Sequence, residues 1–453
     1  MAAAGCALKS PPPREDITAQ ALPNVRVPES WAARPGTAGA AADRWLASFN
    51  DPQLDELVQE ALAFNPDLRV AAARVEQAAA YVRLSGATLY PQVNLIAKGS
   101  LGADSSGVQG VGLFLNWELD LWGRIRAGRE AAQMQYVSAE LDAAFARQSI
   151  AALVAKSWFL ATEARLQKAN AADMVAAAER QLGLAEDRLR VGIGDAYDVT
   201  LARASLATYR DSVASFDLAY QQALRALESL AGRYPAAALA VPAQLTAMPG
   251  PVPVGMPSEL LERRPDVVAA ERRVAAAFYR VEEAKAARLP RISLTAAVNT
   301  ISSDVFVLQN RDNPVWSLGA GLVAPLFLGG QLRAQEDIRT AEQKQAIAEY
   351  GRVGARAFAE VENALSAEFN LAAREALLKQ AADENARALA LADVRYRVGS
   401  GDLRAVEQQS LALYASRTAL LRVRSERLVQ RVNLYLALGG GFDAATAAPV
   451  AAK

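Results

Sequence analysis

Histidine is absent from the 453 residues of this chain. Its absence removes imidazole acid–base chemistry, Ser-His and Cys-His nucleophile pairs, and His-liganded metals. The single cysteine, Cys6, excludes an internal disulfide and a thiolate cluster. Net charge is also missing. Lys plus Arg is 49 and Asp plus Glu is 49, which argues against a nucleic-acid binder that neutralises many phosphates. Carboxylate-only hydrolysis is the one catalytic class left, and no concentrated acidic pair supports it. No cofactor and no metal are implied. Long apolar runs are lacking too: the longest uncharged stretch, residues 235–258, holds six prolines and cannot be a regular spanning helix. Strands of a transmembrane β-barrel are short and alternating, and they escape that exclusion. What remains is 52% hydrophobic and 22% charged, too apolar for disorder. The length suggests about three ordinary domains.

The chain opens Met1-Ala2-Ala3-Ala4-Gly5-Cys6, a cysteine behind small residues. This resembles the end of a bacterial lipoprotein signal, in which the cysteine becomes the acylated first residue; an ordinary thiol is the alternative. Ala3 stands where such a box usually has Leu, and the charged and apolar parts of a signal are missing, which suggests a trimmed or misplaced start. Ala7 after the cysteine favours delivery to the outer membrane in the lipoproteins it resembles. Residues 7–44 carry six prolines among small residues and read as an extended tether.

The rest of the chain is written twice. Asn65-Pro66-Asp67-Leu68 returns as Arg264-Pro265-Asp266-Val267, and Tyr90-Pro91-Gln92-Val93 as Leu289-Pro290-Arg291-Ile292, both 199 positions on (66 to 265, 91 to 290). Gly123-Arg124-Ile125-Arg126 returns as Gly330-Gln331-Leu332-Arg333, and Arg190-Val191-Gly192-Ile193-Gly194-Asp195 as Arg397-Val398-Gly399-Ser400-Gly401-Asp402, both 207 on (123 to 330, 192 to 399). The growing offset places a loop eight residues longer between the strands of the second copy. Ordered matches at steady offsets mark a duplicated unit of roughly 200 residues.

Each copy reads helix, strand, strand, long helix, helix. The first helix is expected over 51–88, with its counterpart over 258–288. In the strand 111–120, Val111, Leu113, Leu115, Trp117 and Leu119 alternate with Gly112, Phe114, Asn116, Glu118 and Asp120. Leu318, Ala320, Leu322, Ala324 and Leu326 likewise oppose Ser317, Gly319, Gly321 and Val323. Ile292 to Val298 alternates also, and Val93, Leu95 and Ala97 form a weaker series. A strand of about ten residues crosses a membrane obliquely. Tyr90, Trp117, Trp122, Trp316 and Phe327 lie near strand ends, as an interfacial girdle requires. A soluble sheet with one wet face is the alternative. Four strands cannot close a barrel, and open edges are not tolerated in lipid, so the membrane reading demands oligomerisation. Proline is absent from 92–234 and from 326–448. Helices are therefore expected over 124–190 and 331–397, each about 100 Å long, and over 196–230 and 403–438. Val-Gly-x-Gly-Asp breaks each pair, with Asp195 and Asp402 as caps.

These residues resemble the outer membrane efflux family, the TolC-like outer membrane factors, and most closely its lipoprotein branch. The carriers are Phe49-Asn50-Asp51-Pro52-Gln53-Leu54, Ala61-Leu62-Ala63-Phe64-Asn65-Pro66-Asp67-Leu68, Ala73-Arg74-Val75-Glu76-Gln77-Ala78, Glu118-Leu119-Asp120-Leu121-Trp122-Gly123 and Val432-Asn433-Leu434-Tyr435-Leu436-Ala437-Leu438-Gly439-Gly440-Gly441. The resemblance implies a mainly α chain with a β-barrel. Duplicated β-β-α-α units of three identical subunits form a 12-stranded outer-membrane barrel, continued by a long periplasmic α-helical barrel. The segments are then a residual lipoprotein signal (1–6), the tether (7–44), a first repeat (45–234), a Pro-rich linker (235–257), a second repeat (258–441) and a C-terminal tail (442–453).

It further implies a passive exit duct, not an enzyme, lipid-anchored in the outer membrane of a Gram-negative bacterium. The duct docks a periplasmic adaptor attached to an inner-membrane transporter of the RND type. A type I secretion duct and a non-channel periplasmic coiled coil are the alternatives. Residue by residue, Cys6 matches the lipid anchor. Val191, Gly192, Ile193, Gly194 and Asp195, with Val398, Gly399, Ser400, Gly401 and Asp402, match the tips that meet the adaptor. Tyr396 matches an aromatic that helps shut the tip. Relatives often carry gate aspartates where this chain has Ala405 and Gln408. Glu407, beside the second, faces either the lumen or a neighbouring helix.

Overall fold

The computed structural model describes residues 9–33, 45–98, 109–302 and 315–440. Cys6, part of the tether and the 442–453 tail lie outside them. The elements are α1 (Arg14–Ala21), a 3-10 turn (Trp45–Phe49), α2 (Pro52–Phe64), α3 (Pro66–Ala87), β1 (Gln92–Lys98), β2 (Gln109–Leu119), α4 (Arg124–Arg190) and α5 (Ala196–Leu230). Then come α6 (Leu260–Arg263), α7 (Pro265–Ala286), β3 (Arg291–Ser302), β4 (Val315–Val323), α8 (Gln331–Arg397) and α9 (Leu403–Ala437).

Both long helices run 67 residues and both returning helices 35. Their ends are copied between repeats. α5 stops at Gly232 (φ 76°) and α9 at Gly439 (φ 69°), where left-handed backbone lets the next amides reach back. Arg233 N–H donates to the Glu228 carbonyl at 2.8 Å and Gly440 N–H to the Tyr435 carbonyl at 3.0 Å.

The first helix of each repeat departs from the expectation. The helix expected over 51–88 is broken at Asn65, which is extended (φ −61°, ψ 127°), and the one over 258–288 at Arg264 (φ −75°, ψ 121°). Each stands before a proline, whose ring crowds the preceding residue out of helical backbone. Each then uses its side chain at the same place in its repeat. Asn65 Nδ2 donates to the Leu230 carbonyl at 2.9 Å, and Arg264 Nη1 to the Ala437 carbonyl at 3.2 Å. The break is thus also the cap on the carbonyl end of the returning helix.

The strands form one antiparallel sheet in the order β1-β2-β3-β4. Its register sorts the residues cleanly. Val93, Leu115, Ala296 and Leu318 stand in one row across all four strands, and Gln92, Asn116, Thr295 and Gly319 in the next. One face is therefore apolar along its length and the other largely polar or small. β4 ends at Val323, so Ala324 and Leu326 are outside it; Pro325 cannot continue the ladder.

The chain forms two compact units, each drawing on both repeats. One comprises Met1–Val25, Ala71–Ala143 and Pro265–Ala355; the other comprises Arg26–Val70, Ala144–Arg264 and Arg356–Lys453. In the first, the described part of the tether is not wholly extended, because α1 packs on α8. Arg14 Nε donates to Glu271 at 2.8 Å, and the Thr18 and Tyr350 hydroxyls are 3.1 Å apart. The approach depends on Gly351, where a Cβ would lie 2.5 Å from the Ala21 carbonyl oxygen.

In the second unit, Trp45 stacks on Tyr435 with centroids 5.6 Å apart, and Phe49 meets Phe159 at 5.1 Å. Trp31 Nε1 donates to the Gly255 carbonyl at 3.1 Å, and the Glu362 carboxylate accepts from the backbone amides of Ala32 and Ala33 at 2.8 and 2.7 Å. The Pro-rich linker is anchored as firmly. Glu228, 3% exposed, accepts from the amides of Ala237, Ala238 and Leu239 at 2.7, 2.6 and 2.9 Å. Burial pushes its carboxyl up, but those amides outweigh it and hold the group below the usual carboxylate range. A depressed carboxyl stabilises the fold above its unfolded value and loses that contribution as pH falls through the lower folded value. Glu228→Gln is expected to cost about 1–3 kcal/mol at neutral pH. Melting temperatures of the two proteins should converge in acid, and a gap that persists unchanged there would contradict the ionic role.

Candidate functional site

The two turns at 191–194 and 398–401 are built alike. Gly192 (φ 79°) and Gly399 (φ 78°) take left-handed backbone, and the following amides close the helix ends. Ile193 N–H donates to the Arg188 carbonyl at 3.0 Å and Ser400 N–H to the Arg395 carbonyl at 2.9 Å. Asp195 then accepts from Tyr197 N–H at 3.1 Å and Asp402 from Ala405 N–H at 2.8 Å, capping α5 and α9. Val191, Ile193 and Val398 are exposed at the turn surface.

Behind the turns the two helical hairpins lock together. Ala185, Val199, Ala202, Tyr396, Leu403 and Val406 form one apolar cluster. Tyr396 is buried at its centre. Its hydroxyl donates to Asp198 Oδ2 at 3.4 Å, Arg188 Nη1 donates to its carbonyl at 3.0 Å, and the Arg188 guanidinium lies 4.8 Å over its ring. Burial pushes the phenol up, the Asp198 charge pushes the same way, and Arg188 opposes. A second tie is exposed: Arg404 donates to the Tyr197 hydroxyl at 3.3 Å and lies 5.5 Å over its ring. A shared apolar plug and two cation–aromatic contacts thus join hairpin α4–α5 to hairpin α8–α9. Arg188 and Arg404 were missed from the sequence. Arg188 was visible only as one of a repeat pair with Arg395, which does not say which of the two crosses to the other hairpin.

The gate residues separate in space. Ala405 and Gln408 are exposed, whereas Glu407 is 7% exposed. Its side chain is buried within the chain itself, beside the cluster that joins the two hairpins. α9 repeats apolar residues at three-and-four spacing through Leu403, Val406 and Leu413, and that stripe carries Glu407 inward.

The other candidate surface is the sheet. Its apolar row residues Val93, Leu113, Leu318 and Leu322 are exposed, although apolar surface in water is unfavourable. Tyr90, Trp122, Trp316 and Phe327 are exposed as well. Trp117 and Trp122 donate to the Leu89 and Pro290 carbonyls at 2.9 and 2.7 Å. Trp117 pairs with Leu294 and Trp316 with Val298 on β3. Four residues at about 3.3 Å separate those levels by about 13 Å, so Trp117 and Trp316 stand at different heights on the sheet. Among the described residues, no helix is long and apolar enough to cross a membrane.

The model of one protein family, outer membrane efflux protein, matches residues 57–233 and 256–440. The pyoverdine export outer membrane protein OpmQ of Pseudomonas aeruginosa is 33% identical over 422 residues, with 88% of each chain covered. The cation efflux system protein CusC of Escherichia coli is 31% identical over 408 residues, again with 88% of each covered. The solved structure of the outer-membrane channel OprN has a TM-score of 0.83 at 29% identity, covering 93% of this chain and 99% of that one. The duplicated hairpins, the paired tips and the two-faced sheet are therefore those of a known architecture, and the chain belongs to the outer membrane efflux protein family.

Proposed function

We propose that the chain is the outer-membrane exit duct of a tripartite efflux pump, working as a homotrimer. The observation that carries this reading is the sheet: its apolar face is exposed and its two outer strands, β1 and β4, have no further partner within the described residues. Three copies set edge to edge supply twelve strands and close the ladder. Closure is what hydrocarbon demands of any spanning sheet. The polar face then lines a water-filled bore, and the long helices continue it into the periplasm. Transport is diffusion, so no residue performs chemistry. The tips dock the adaptor of an inner-membrane transporter of the RND type, through the exposed Val191, Ile193 and Val398. Acylation at Cys6 adds an anchor to the outer membrane; one chain alone binds marginally, so the barrel carries most of the insertion energy. Cargo is small molecules; the names of OpmQ and CusC give pyoverdine and cations for those two proteins.

A shut tip in such a duct depends on the ties across the two hairpins. Arg188→Ala removes both the hydrogen bond to the Tyr396 carbonyl and the cation above its ring. Tyr396→Phe removes only the long hydroxyl contact to Asp198. Single-channel conductance in planar bilayers is expected to rise several-fold in the first variant and only slightly in the second. Absence of conductance in the wild type and in both variants would sink the duct reading. Equal conductance in all three would remove Arg188 from the gate.

A further inference from the structure

Among the described residues of the tip, Glu407 is buried with no regular hydrogen bond to its carboxylate and no ion pair. It sits five residues beyond the α9 cap Asp402, about 7.5 Å along the helix. Neither carboxylate oxygen makes a hydrogen bond, and the Ser410 hydroxyl beside it is buried and unpartnered as well. Its surroundings are apolar on both sides along the axis: Leu403 and Val406 toward the tip, and Met174, Ala178, Leu206 and Tyr209 away from it. The groups facing it can be named element by element. α5 presents Ser205 and Tyr209, and α9 itself presents Ser410 and Tyr414. The apolar clusters on either side of it draw Met174, Ala178 and Leu182 from α4 and Leu389, Ala392 and Tyr396 from α8, while Arg180 of α4 and Asp393 and Arg397 of α8 line a neighbouring pocket with Leu413. Among the described residues no Lys or Arg pairs with Glu407. The Ser205 hydroxyl lies near without forming a regular hydrogen bond, and burial holds the carboxyl above its usual range. Tyr209 is pushed up to about 12, by burial first and then by Glu407 and Tyr414, so it remains neutral throughout. The position is peculiar to the second repeat, since its counterpart in the first, Thr200, is exposed and bonds the Ala196 carbonyl.

An ionised carboxylate in that place has no cation beside it among the described residues and only serine hydroxyls, Ser205 opposing the shift weakly, to offset its lost hydration, so burial dominates and the charge is unfavourable. A protonated one is tolerable. One proton thus separates a tolerable seam from an unfavourable one. We propose that Glu407 is a proton-binding site in the seam between α5 and α9: neutral, it lets the helices pack and the tip stay shut; ionised, it draws water into the seam and favours the open tip. The effect on opening rests on the exit-duct reading; the site itself does not. A tube of three chains holds three such sites, and coupling through one shared opening makes its pH response steeper than that of a single acid.

The test compares wild type with Glu407→Gln and Glu407→Leu, purified as full chains in detergent, from about pH 4.5 to about pH 9, the upper end known for buried Glu. A carboxyl held above its unfolded value stabilises the fold fully below that value and loses the contribution as pH rises through the folded value. The wild-type melting temperature should therefore fall behind both variants as pH rises and rejoin Glu407→Gln near pH 4.5, the ordinary carboxyl value. Parallel melting curves at every pH overturn the site. In planar bilayers, wild-type conductance should step up with pH and the step should vanish in both variants, which stay low. A step of the same size in Glu407→Gln overturns the link to opening. Separated melting curves with no conductance in any variant support the proton site and count against the duct.

Discussion

Arg264→Ala is expected to destabilise the protein by about 2–5 kcal/mol, the cost of emptying a buried site and stranding the carbonyl it caps. Arg264 is 1% exposed. Its Nη1 donates to Glu360 at 2.6 Å and to the Ala437 carbonyl at 3.2 Å, and its guanidinium lies 5.8 Å over the Phe145 ring. Truncation removes a cap, an ion pair and a filled volume at once, where α9 ends at Gly439 against the Arg263 backbone. Arg264→Lys keeps the charge and loses the planar fork, so an intermediate cost is expected. Asn65→Ala performs the matching deletion in the first repeat without a charge, and about 1–3 kcal/mol is expected. The exposed pair Arg387–Glu384 gives the scale for a surface arginine, about 0–1 kcal/mol. Melting curves of the four variants should order as Arg264→Ala, then Arg264→Lys and Asn65→Ala, then Arg387→Ala. An Arg264→Ala curve no lower than that of Arg387→Ala would refute the buried-cap role.

The ends of α4, α5 and α8 were legible to the residue, because glycine, aspartate and the absence of proline are local signals with local causes. Alternation likewise placed β2 and β3 within a few residues, since a period of two is written in the strand itself. What the sequence left unread lies in partners distant along the chain. The breaks at Asn65 and Arg264 follow from the next residue being proline, yet the 51–88 and 258–288 periodicities ran through them. Helical spacing had room for both prolines as first-turn residues. α1 was hidden in a Pro-rich stretch because its stability comes from contacts with Glu271 and Tyr350, not from its own eight residues. At the tip, the turns were readable and the tie from Arg188 to Tyr396 was not, since nothing in a helix surface names its partner. Glu407 is the instructive case. Its spacing from Leu403, four residues, and from Ser410, three, already put it on the inward stripe; its charge argued for water, and packing won.

If the chain works as the proposed homotrimer, Leu318→Arg is expected to abolish a heat-modifiable trimer on detergent gels, whereas Ser317→Arg is expected to leave it intact. The two residues are neighbours on β4 and are equally part of the exposed surface of the chain. They differ only in the face they occupy. Leu318 continues the row Val93, Leu115 and Ala296, and Ser317 continues Asn94, Phe114 and Ala297. If the apolar face meets lipid, an arginine at 318 costs about 2–4 kcal/mol near the bilayer midplane, or about 6–12 kcal/mol across three copies. An arginine at 317 projects into the aqueous bore, where charge costs little and alters ion selectivity. A soluble sheet with one wet face predicts the opposite order, because an exposed Leu318 would gain by becoming charged while the protein remained monomeric. The reversal of effect between adjacent residues is what only a closed barrel in lipid produces. Equal tolerance of both arginines, with the protein soluble without detergent, would leave the four strands an ordinary sheet and remove the reason for three chains to assemble.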